Sequence, residues 1–462
     1  HPALDGVPHQ VVLPTVDVPL DIVRTSAADV PAAVRTAAAA RIDVTTETPL
    51  RATLLVVSPT DHVLVILVHH IAADGWSMAP LTRDVVTAYT ARAAGRVLDQ
   101  PPLPVQYADH ALAQRAALGS LDDPGSAVSR HLEHWRERLA GVPLDLGLPT
   151  DRPRPRTPSQ QGDRVRTVLD ADALGVLRSV AQAHDVTLFM VAHTALSIVL
   201  AQWAGTRDLL VGTAVAGRTD PALDDVVGMF VDTVVLRSTI DENGTVADHL
   251  AAARETTLDA FAHAALPFET LVTALDPVRS TASHPVVQVM LTLQNTAPPR
   301  FPTTTPAVEV LDLGGAPVQF DLAVTLREDE GRLLIELAYA TDLFDRSTIE
   351  RVSRRLVWTL RSMVRDTSVR IGDLETVEPS ERDAMRPRSG APALKPRTLD
   401  RLVTDAMAVD PDAIAVRANG IDVSYADLSA RANRLARELI ACGAGPDVVV
   451  ALALPRSIDH VL

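Results

Sequence analysis

Two adjacent histidines, His69 and His70, follow the apolar run 63–68, and an acidic residue and a glycine, Asp74 and Gly75, come shortly after them. An apolar run of this length predicts a buried strand, so the pair stands at the end of that strand. Side chains on a strand alternate between its faces, so one imidazole would face a cleft and the other the core. An imidazole in a cleft can exchange a proton near neutral pH. The spacing therefore indicates a candidate acid–base group; for the pair taken alone, packing or turn stabilisation is the alternative.

Other kinds of site fit these residues poorly. Histidines on opposite faces of a strand cannot share one metal ion, and the i,i+4 spacing of zinc-binding histidines on a helix is missing here. The sequence has no G-x-S-x-G segment, so a serine nucleophile is unsupported. The single cysteine, Cys442, excludes internal disulfides and cysteine-based metal sites, and it fits a reducing, cytoplasmic location. We expect no metal site.

Size, charge and hydropathy bound the class of protein. The 462 residues, 47% of them hydrophobic, are ample for two or three packed units. The net charge of -15, without a basic block, argues against a nucleic-acid surface. No apolar run is long enough for a membrane span, and no signal peptide opens the chain. Because an initiator methionine is also missing, we expect the chain to begin inside a larger protein.

The order of the predicted elements indicates an α/β architecture of two lobes followed by the beginning of a third unit. Strands are predicted at 9–14, 50–57, 62–68, 208–217, 229–240, 285–294, 332–340 and within 413–425. Helices are predicted at 30–42, 81–95, 127–141, 188–205, 246–264, 346–364 and 426–443. Two stretches rich in proline and polar residues, 148–163 and 370–397, are typical of linkers.

Five segments in order resemble motifs of the condensation domains of nonribosomal peptide synthetases, relatives of chloramphenicol acetyltransferase. The segments are HHIAADGWS (69–77), similar to HHxxxDG; YADHA (107–111); VGMFVDTVVLR (227–237); HAALPFE (263–269); and RSTASHPVVQVMLTLQN, from Arg279. The resemblance implies an α/β fold of two chloramphenicol-acetyltransferase-like lobes forming a V. The first lobe would occupy 1–150 and be incomplete at its N-terminus, and the second would occupy 160–375.

The end of the chain, residues 401–462, resembles the start of an adenylation (AMP-binding) domain. VSYADLSARANRLA (423–436) is similar to the L-T-Y-x-E-L segment of that family. The resemblance implies a linker at 376–398 and an incomplete α/β adenylation-domain fragment at 399–462. Its ATP-binding residues would lie past Leu462, so we expect this fragment to be too short for activity.

The resemblance implies peptide-bond formation between a donor aminoacyl or peptidyl thioester and an aminoacyl acceptor. Each substrate would be carried on the 4′-phosphopantetheine of a partner carrier protein, and no cofactor would bind this chain directly. The partners would be the upstream (donor) and downstream (acceptor) peptidyl carrier proteins and the rest of the synthetase chain. Neither nucleic acid nor a membrane is expected as a partner.

The resemblance also implies roles for individual residues. His70 would be catalytic, as a base or as a group that orients the amine, and the sequence leaves both roles open. His69, Asp74, Gly75 and Arg279 would be structural: His69 packs behind, Asp74 pairs with an arginine of the second lobe, expected to be Arg279, and Gly75 lets the loop turn. Residues of the tunnel or lobe interface would be Tyr107, Asp109, Phe230, Asp232, Thr233, Pro267, Phe268 and Glu269.

Several positions depart from the family pattern and leave alternatives open. Asp232 stands where the family usually has asparagine, Ala264 and Ala265 replace a polar pair, and Ser283 replaces an arginine. These changes keep an inactive or recruiting condensation-like module as an alternative, and epimerisation on the same fold is another. The adenylation start that follows favours condensation. Heterocyclisation is discounted because both histidines of the motif are intact.

Overall fold

The computed structural model describes residues 1–4, 7–275, 282–294, 307–311, 318–385 and 396–462. It divides into two compact units, His1–Arg382 and Asp383–Leu462. The strands are β1 Ala3–Leu4, β2 Val7–Pro8, β3 Leu20–Arg24, β4 Leu50–Val56, β5 His62–Val68, β6 Gly162–Leu169, β7 Asp208–Val215, β8 Asp232–Thr239, β9 Val289–Gln294, β10 Leu322–Asp329, β11 Arg332–Ala340, β12 Ile414–Ala418 and β13 Ile421–Ser424. The helices are α1 Val30–Ala38, α2 Met78–Ala93, α3 Tyr107–Leu118, α4 Ala127–Arg138, α5 Ala171–Ala183, α6 Leu188–Ala204, α7 Val246–Ala262, α8 Phe268–Leu275, α9 Arg346–Met363, α10 Pro379–Met385, α11 Leu399–Val409, α12 Tyr425–Ala441 and α13 Ile458–Val461.

The largest sheet of the first unit has six strands in the order β6-β11-β10-β9-β7-β8. Both of its faces are covered, as alternate residues of β7 demonstrate: Leu209 and Val211 pack in a core with α5, α6, α7 and α9. Leu210 packs in a second core with α4 and α8. Coverage on both sides fits the continuous apolar runs in its central strands, such as 209–211 in β7 and 289–291 in β9.

Helix α6 is apolar on every side and lies inside the larger core, where Leu196, Ile198 and Leu200 have no exposed surface. Its ends follow local rules. The Thr187 side chain accepts a hydrogen bond from the backbone of Met190 and caps the N-terminus. Gly205, with φ +67°, terminates the helix in the left-handed conformation.

The histidine pair depends on a smaller sheet, ordered β3-β4-β5. Strand β3 runs parallel to β4, and β4 pairs antiparallel with β5 in the register Leu50↔Val68. Strand β5 therefore ends directly before His69, and α2 begins at Met78. The segment between them is held by a strand on one side and a helix on the other.

Some predicted elements are wrong or were missed. The predicted strand at 9–14 is wrong: these residues are irregular and exposed. The strand that pairs with β4 is β3, which begins later in the chain. Pro14 and Pro19 lie between the apolar residues of 9–14 and this paired segment, and proline cannot donate a hydrogen bond to a neighbouring strand. The stretch 148–163 is irregular up to Gln161, and β6 begins at its end. Strands β6 and β10 and helices α5 and α8 were missed.

The second unit contains the antiparallel hairpin β12–β13 and the helices α11 and α12. Asn419 and Gly420 connect the two strands with φ +51° and +75°, the two positive values that an Asn-Gly hairpin turn requires. The Ser424 side chain accepts from Asp427 N and caps α12. Local sequence signals thus account for this hairpin and its following helix.

In the part of the chain that the structure describes, no single helix has the length and apolar character needed to cross a bilayer. Helices α5 and α6 reach that length and apolar character only when taken together, and the chain bends by 101° between them.

Candidate functional site

The histidine pair lies in a turn directly after β5. His69 extends the pairing by one bond, from its N–H to the carbonyl of Pro49, 2.9 Å away, and the turn then begins. Both imidazoles are exposed. The prediction that His69 packs behind His70 is wrong, because strand alternation ends before the pair. The Nδ1 atom of His69 instead accepts a hydrogen bond from the N–H of Ile71, 3.1 Å away.

The ring of His70 is oriented by its own turn. Its Nδ1 atom lies 2.8 Å from the carbonyl oxygen of Ala73. A carbonyl oxygen can only accept, so Nδ1 carries the hydrogen and donates it. In the neutral ring, Nε2 is then the unprotonated atom with a free lone pair. This arrangement presents a proton or hydrogen-bond acceptor on the far side of the ring.

The Asp74 carboxylate connects this turn to a distant part of the chain. Its side chain has no exposed surface. Oδ1 accepts from both the N–H and the hydroxyl of Ser77, each at 2.8 Å. Oδ2 accepts from the N–H groups of Phe230 and Val231 at 3.0 and 3.3 Å. The turn after the histidines is therefore fastened to the segment that precedes β8.

An arginine completes the environment of Asp74. Arg218 Nη2 lies 3.2 Å from Asp74 Oδ1, and the Arg218 side chain is only 5% exposed. Its Nη1 donates to the carbonyl oxygens of Leu223 and Val226, the latter at 2.8 Å. The guanidinium also lies 4.0 Å above the centre of the Phe230 ring. One planar group thus joins the carboxylate to the loop 218–226.

An arginine from the region predicted as the second lobe, 160–375, does contact Asp74, as predicted, but the residue is Arg218 rather than Arg279. Arg279 falls in 276–281, outside the described residues. Arg218 lies 144 positions from Asp74, in a loop that carried no signal in the sequence analysis. Sequence spacing does not reveal which of many arginines reaches a buried carboxylate.

Asp74 is held in its charged form. Burial acts to raise its pKa, but the hydrogen bonds from Ser77 and Phe230 and the charge of Arg218 together outweigh burial and lower the pKa of Asp74 below its usual value. The carboxylate therefore stays ionised at neutral pH. It is an acceptor that fixes the turn and is unsuited to carry protons.

Two further residues, Ser77 and Gly228, belong to this network and were not singled out by the sequence analysis. The Ser77 hydroxyl lies 2.9 Å from the Gly228 carbonyl oxygen and accepts from the Gly228 N–H at 3.1 Å. A Cβ on Gly228 would lie 2.2 Å from the ring of Tyr107. Gly75 differs: it has no positive φ, and an added Cβ would meet nothing within 4 Å. The backbone freedom of glycine, which was the predicted reason for Gly75, is not needed at this position, because other residues could adopt its backbone conformation without a clash.

The predicted residues Tyr107 and Phe230 lie together beside this network. The Tyr107 hydroxyl donates to the carbonyl of Met229 at 2.7 Å, and its ring meets that of Phe230 edge-on with centroids 5.1 Å apart. Burial, and secondarily the charge of Asp74, raise the pKa of Tyr107. Asp109 lies at the start of the same helix, where its exposed carboxylate accepts from the backbone of Gln106 and caps α3.

The other predicted residues form a second group at the start of β8 and α8. Asp232 Oδ1 accepts from the N–H groups of Thr233 and Phe268, at 2.7 and 3.3 Å. Burial, aided by the negative charge of Glu269, raises the pKa of Asp232 to about 6, although the two hydrogen bonds oppose the shift. Asp232, the first residue of β8, thus connects this strand to the start of α8 at Phe268.

Comparisons with protein families match both units of the chain. The condensation domain model matches residues 3–386, and the AMP-binding enzyme model matches residues 403–462.

Curated relatives match nearly all of the chain. CymA of Salinispora arenicola (strain CNS-205), named as a probable non-canonical nonribosomal peptide synthetase, is 41% identical over 460 residues, which cover 99% of this chain and 6% of CymA. A dimodular nonribosomal peptide synthase of Bacillus subtilis (strain 168) is 40% identical over 431 residues, 90% of this chain and 18% of that protein. The chain therefore spans less than a fifth of the length of either relative.

Solved structures match the same region. The X-domain in its complex with OxyB from teicoplanin biosynthesis is 30% identical with a TM-score of 0.75, covering 82% of this chain and 83% of that one. A four-domain nonribosomal peptide synthetase bound to AMP and glycine is 24% identical with a TM-score of 0.74, and it covers 93% of this chain and 33% of that one. The second likeness concerns the fold alone.

Proposed function

Since this chain belongs to the condensation domain family, we propose that it forms peptide bonds between a carrier-tethered thioester donor and a carrier-tethered aminoacyl acceptor in nonribosomal peptide synthesis. The observation that carries the proposal is the orientation of His70. An exposed ring with Nδ1 bonded to Ala73 directs Nε2, the acceptor nitrogen of the neutral ring, toward whatever approaches the turn. Such an acceptor suits an incoming amine.

In the proposed reaction, the acceptor amine attacks the donor thioester carbonyl, a C–N bond forms and the C–S bond breaks. The donor thiolate leaves and takes up a proton, and the amine gives up a proton. His70 Nε2 accepts that proton, or it accepts a hydrogen bond and orients the amine. A positioned base contributes roughly 10² to 10⁴ in rate, and bringing two tethered reactants together contributes at least as much.

Asp74 has a positioning role in this proposal. Its carboxylate is buried and ionised, and it fastens the turn of His70 to the backbone of Phe230 and Val231 and to the side chain of Arg218. Loss of this connection would displace Nε2 of His70 relative to the substrates. The group acts on the reaction only through the geometry of the turn.

The test uses a donor thioester and an acceptor aminoacyl thioester on two carrier proteins, with the mass of the acceptor-bound product followed in time. His70→Ala should lower the rate by about 10² to 10⁴ if His70 is the base. His70→Gln separates the two roles, since an amide oxygen accepts a hydrogen bond but does not take up a proton. His62→Ala, an exposed histidine at the other end of β5, is the matched control.

The outcomes of this test are distinct. A rate near wild type in His70→Gln with loss in His70→Ala assigns orientation, while equal losses assign proton transfer. Undiminished product from the His70→Ala variant would remove His70 from the reaction and refute the proposal.

A recruiting module is the second candidate function. One observation favours it: a solved structure similar to this chain is a complex of an X-domain with a second protein, OxyB. A wild-type chain that binds carriers or another partner protein, but forms no product from loaded carriers, would select this function. Epimerised donor in place of a new amide would select epimerisation.

The proposal extends to partners and setting. The substrates reach the site on the phosphopantetheine of upstream and downstream carriers, and the chain works as part of a longer synthetase in the cytoplasm. The match of residues 403–462 covers only the start of an AMP-binding enzyme. We assign no amino-acid activation to these residues by themselves.

A further inference from the structure

Four metal-ligating side chains meet where α4 approaches the end of α7. His131 and His134 are three residues apart on α4, and Asp259 and His263 are four residues apart at the end of α7. Residues at these separations lie on one face of a helix. The rings of His134 and His263 are stacked with centroids 3.5 Å apart, and the His131 ring is 5.3 Å from that of His263.

The distances among three of these residues approach those of a metal site. His134 Nε2 lies 3.2 Å from Asp259 Oδ2, and His263 Nδ1 lies 3.8 Å from Asp259 Oδ1. The three ligand atoms fall within 4.8 Å of one another. Tetrahedral zinc with bonds of about 2.0–2.2 Å places its ligands roughly 3.3–3.6 Å apart. The donor atoms therefore lie close to the spacing that a shared ion requires, and the rings must turn to bring their lone pairs onto it.

Two nitrogens of the cluster have no hydrogen-bond partner. His134 Nε2 and His131 Nδ1 are both buried as atoms, and neither makes a hydrogen bond. His134 Nε2 lies close to the Asp259 carboxylate, but not in hydrogen-bonding geometry. Buried polar atoms in native proteins are nearly always satisfied, and each exception calls for an explanation. A bound cation would supply the missing partner to nitrogens that a helix–helix contact leaves unpaired.

We propose that His134, Asp259 and His263 bind a divalent zinc-type ion, with His131 as the nearest further donor. Imidazole nitrogens with one carboxylate and no thiolate suit Zn²⁺, Co²⁺ or Ni²⁺ better than Ca²⁺ or Mg²⁺. The contacts described for these three side chains include none of the residues that hold the turn of His70 and Asp74. It would join α4, which comes before β6 in the chain, to α7, which follows β8, and so stabilise the packing of these helices.

Binding has structural requirements that can be named. His263 Nδ1 donates to the main-chain oxygen of Asp259 at 2.9 Å, so this ring must turn to direct a lone pair at the ion. The parallel stack of the His134 and His263 rings, with planes 3° apart, must open for the same reason. Arg138, whose Nε lies 3.7 Å from the Asp259 carboxylate, must withdraw. Trp135 already connects the helices by donating to the His263 carbonyl at 3.2 Å, so they need not move apart.

The experiment titrates Zn²⁺ into the chelator-treated 462-residue chain by calorimetry, and records thermal melting with and without the ion. Saturable binding of one ion per chain, with a rise in melting temperature that grows with zinc concentration, is expected. His134→Ala and His263→Gln should each weaken binding at least tenfold and remove the thermal shift. Co²⁺ in place of zinc should give the visible absorption of a tetrahedral site in the wild type and lose it in both variants.

Two controls keep this proposal open to refutation. His184→Ala alters a histidine outside the cluster, one that contacts Thr367, and should leave affinity and stoichiometry unchanged. Asp259→Asn removes the negative charge while nearly keeping the shape of the side chain. The melting temperature of this variant in the presence of chelator, and so without metal, reports whether the fold survives the change. Absence of saturable zinc binding to the wild type overturns the proposal. So does equal binding by folded His134→Ala, His263→Gln and wild-type chains.

Discussion

Substitution of Asp74 by asparagine tests the physical account of the histidine turn most directly. The change keeps the volume of the side chain and removes its charge. An asparagine has a single acceptor oxygen, whereas Asp74 uses both oxygens: one toward Ser77 and Arg218, the other toward the N–H groups of Phe230 and Val231. Whichever way the amide turns, its NH₂ group meets donors.

The magnitude follows from the two contacts that are lost. If the amide oxygen serves Ser77, two backbone N–H groups lose their acceptor, which costs about 1–3 kcal/mol each. Arg218 is then left in a buried position without its counter-charge, and breaking a buried ion pair costs about 3–5 kcal/mol. These figures describe overlapping losses, so we expect the free energy of unfolding to fall by about 3–5 kcal/mol. That is a large share of the roughly 5–15 kcal/mol typical of a domain.

The assay is equilibrium urea unfolding followed by tryptophan fluorescence, at pH 7, for wild type and variant. Asp225→Asn is the matched control, because Asp225 lies in the same loop, 218–226, and pairs with Arg83 of α2 at an exposed position. Exposed pairs contribute up to about 1 kcal/mol, so this control should unfold near wild type. An Asp74→Asn midpoint that coincides with that of Asp225→Asn would refute the reasoning.

The same variant has a defined pH dependence. The pKa of Asp74 is lowered in the folded state, so its stabilising contribution is fully present above the unfolded value, near pH 4, and is lost as the pH falls through the folded value. The stability difference between wild type and Asp74→Asn should therefore be constant from about pH 5 to 8 and shrink only below about pH 4.

Three further predictions concern the surroundings of the site. Arg218→Lys should destabilise the chain nearly as much as Asp74→Asn, because one ammonium cannot reach Asp74 and the carbonyls of 223 and 226 together. The double variant should lose much less unfolding free energy than the sum of the two single losses, and an additive loss would contradict the direct coupling of the two side chains. Gly228→Ala should cost about 1–3 kcal/mol because its Cβ would overlap Tyr107, whereas Gly75→Ala should change stability by less than about 0.5 kcal/mol; equal melting of the two would show that the contact yields freely. Asp232→Asn should remove a loss of stability between about pH 4 and 6, because a carboxyl whose folded pKa is raised to about 6 disfavours the native state as it ionises; parallel stability curves for wild type and variant across that range would contradict the raised pKa.

The sequence by itself determined the elements whose signals are local. An apolar run leading into the histidine pair located β5 and the turn after it, and the largely apolar segment bounded by Thr187 and Gly205 located α6. In the second unit, the Asn-Gly dipeptide accounts for the turn between β12 and β13. In each case the physical cause is a period, a cap or a backbone preference within a few residues, which the sequence displays directly.

Only the tertiary structure decided which distant residues meet. Arg218 and Gly228 reach the turn of Asp74 and Ser77 from 144 and 151 positions away, and His263 stacks on His134 of a different helix, so no local pattern marks these partners. The orientation of His69 was decided in the same way, because it depends on where β5 ends against Pro49 rather than on the alternation of its residues. Burial of a charge makes its partner obligatory but does not say where along the chain the partner comes from. That choice is made by the packing of the two halves of the first unit.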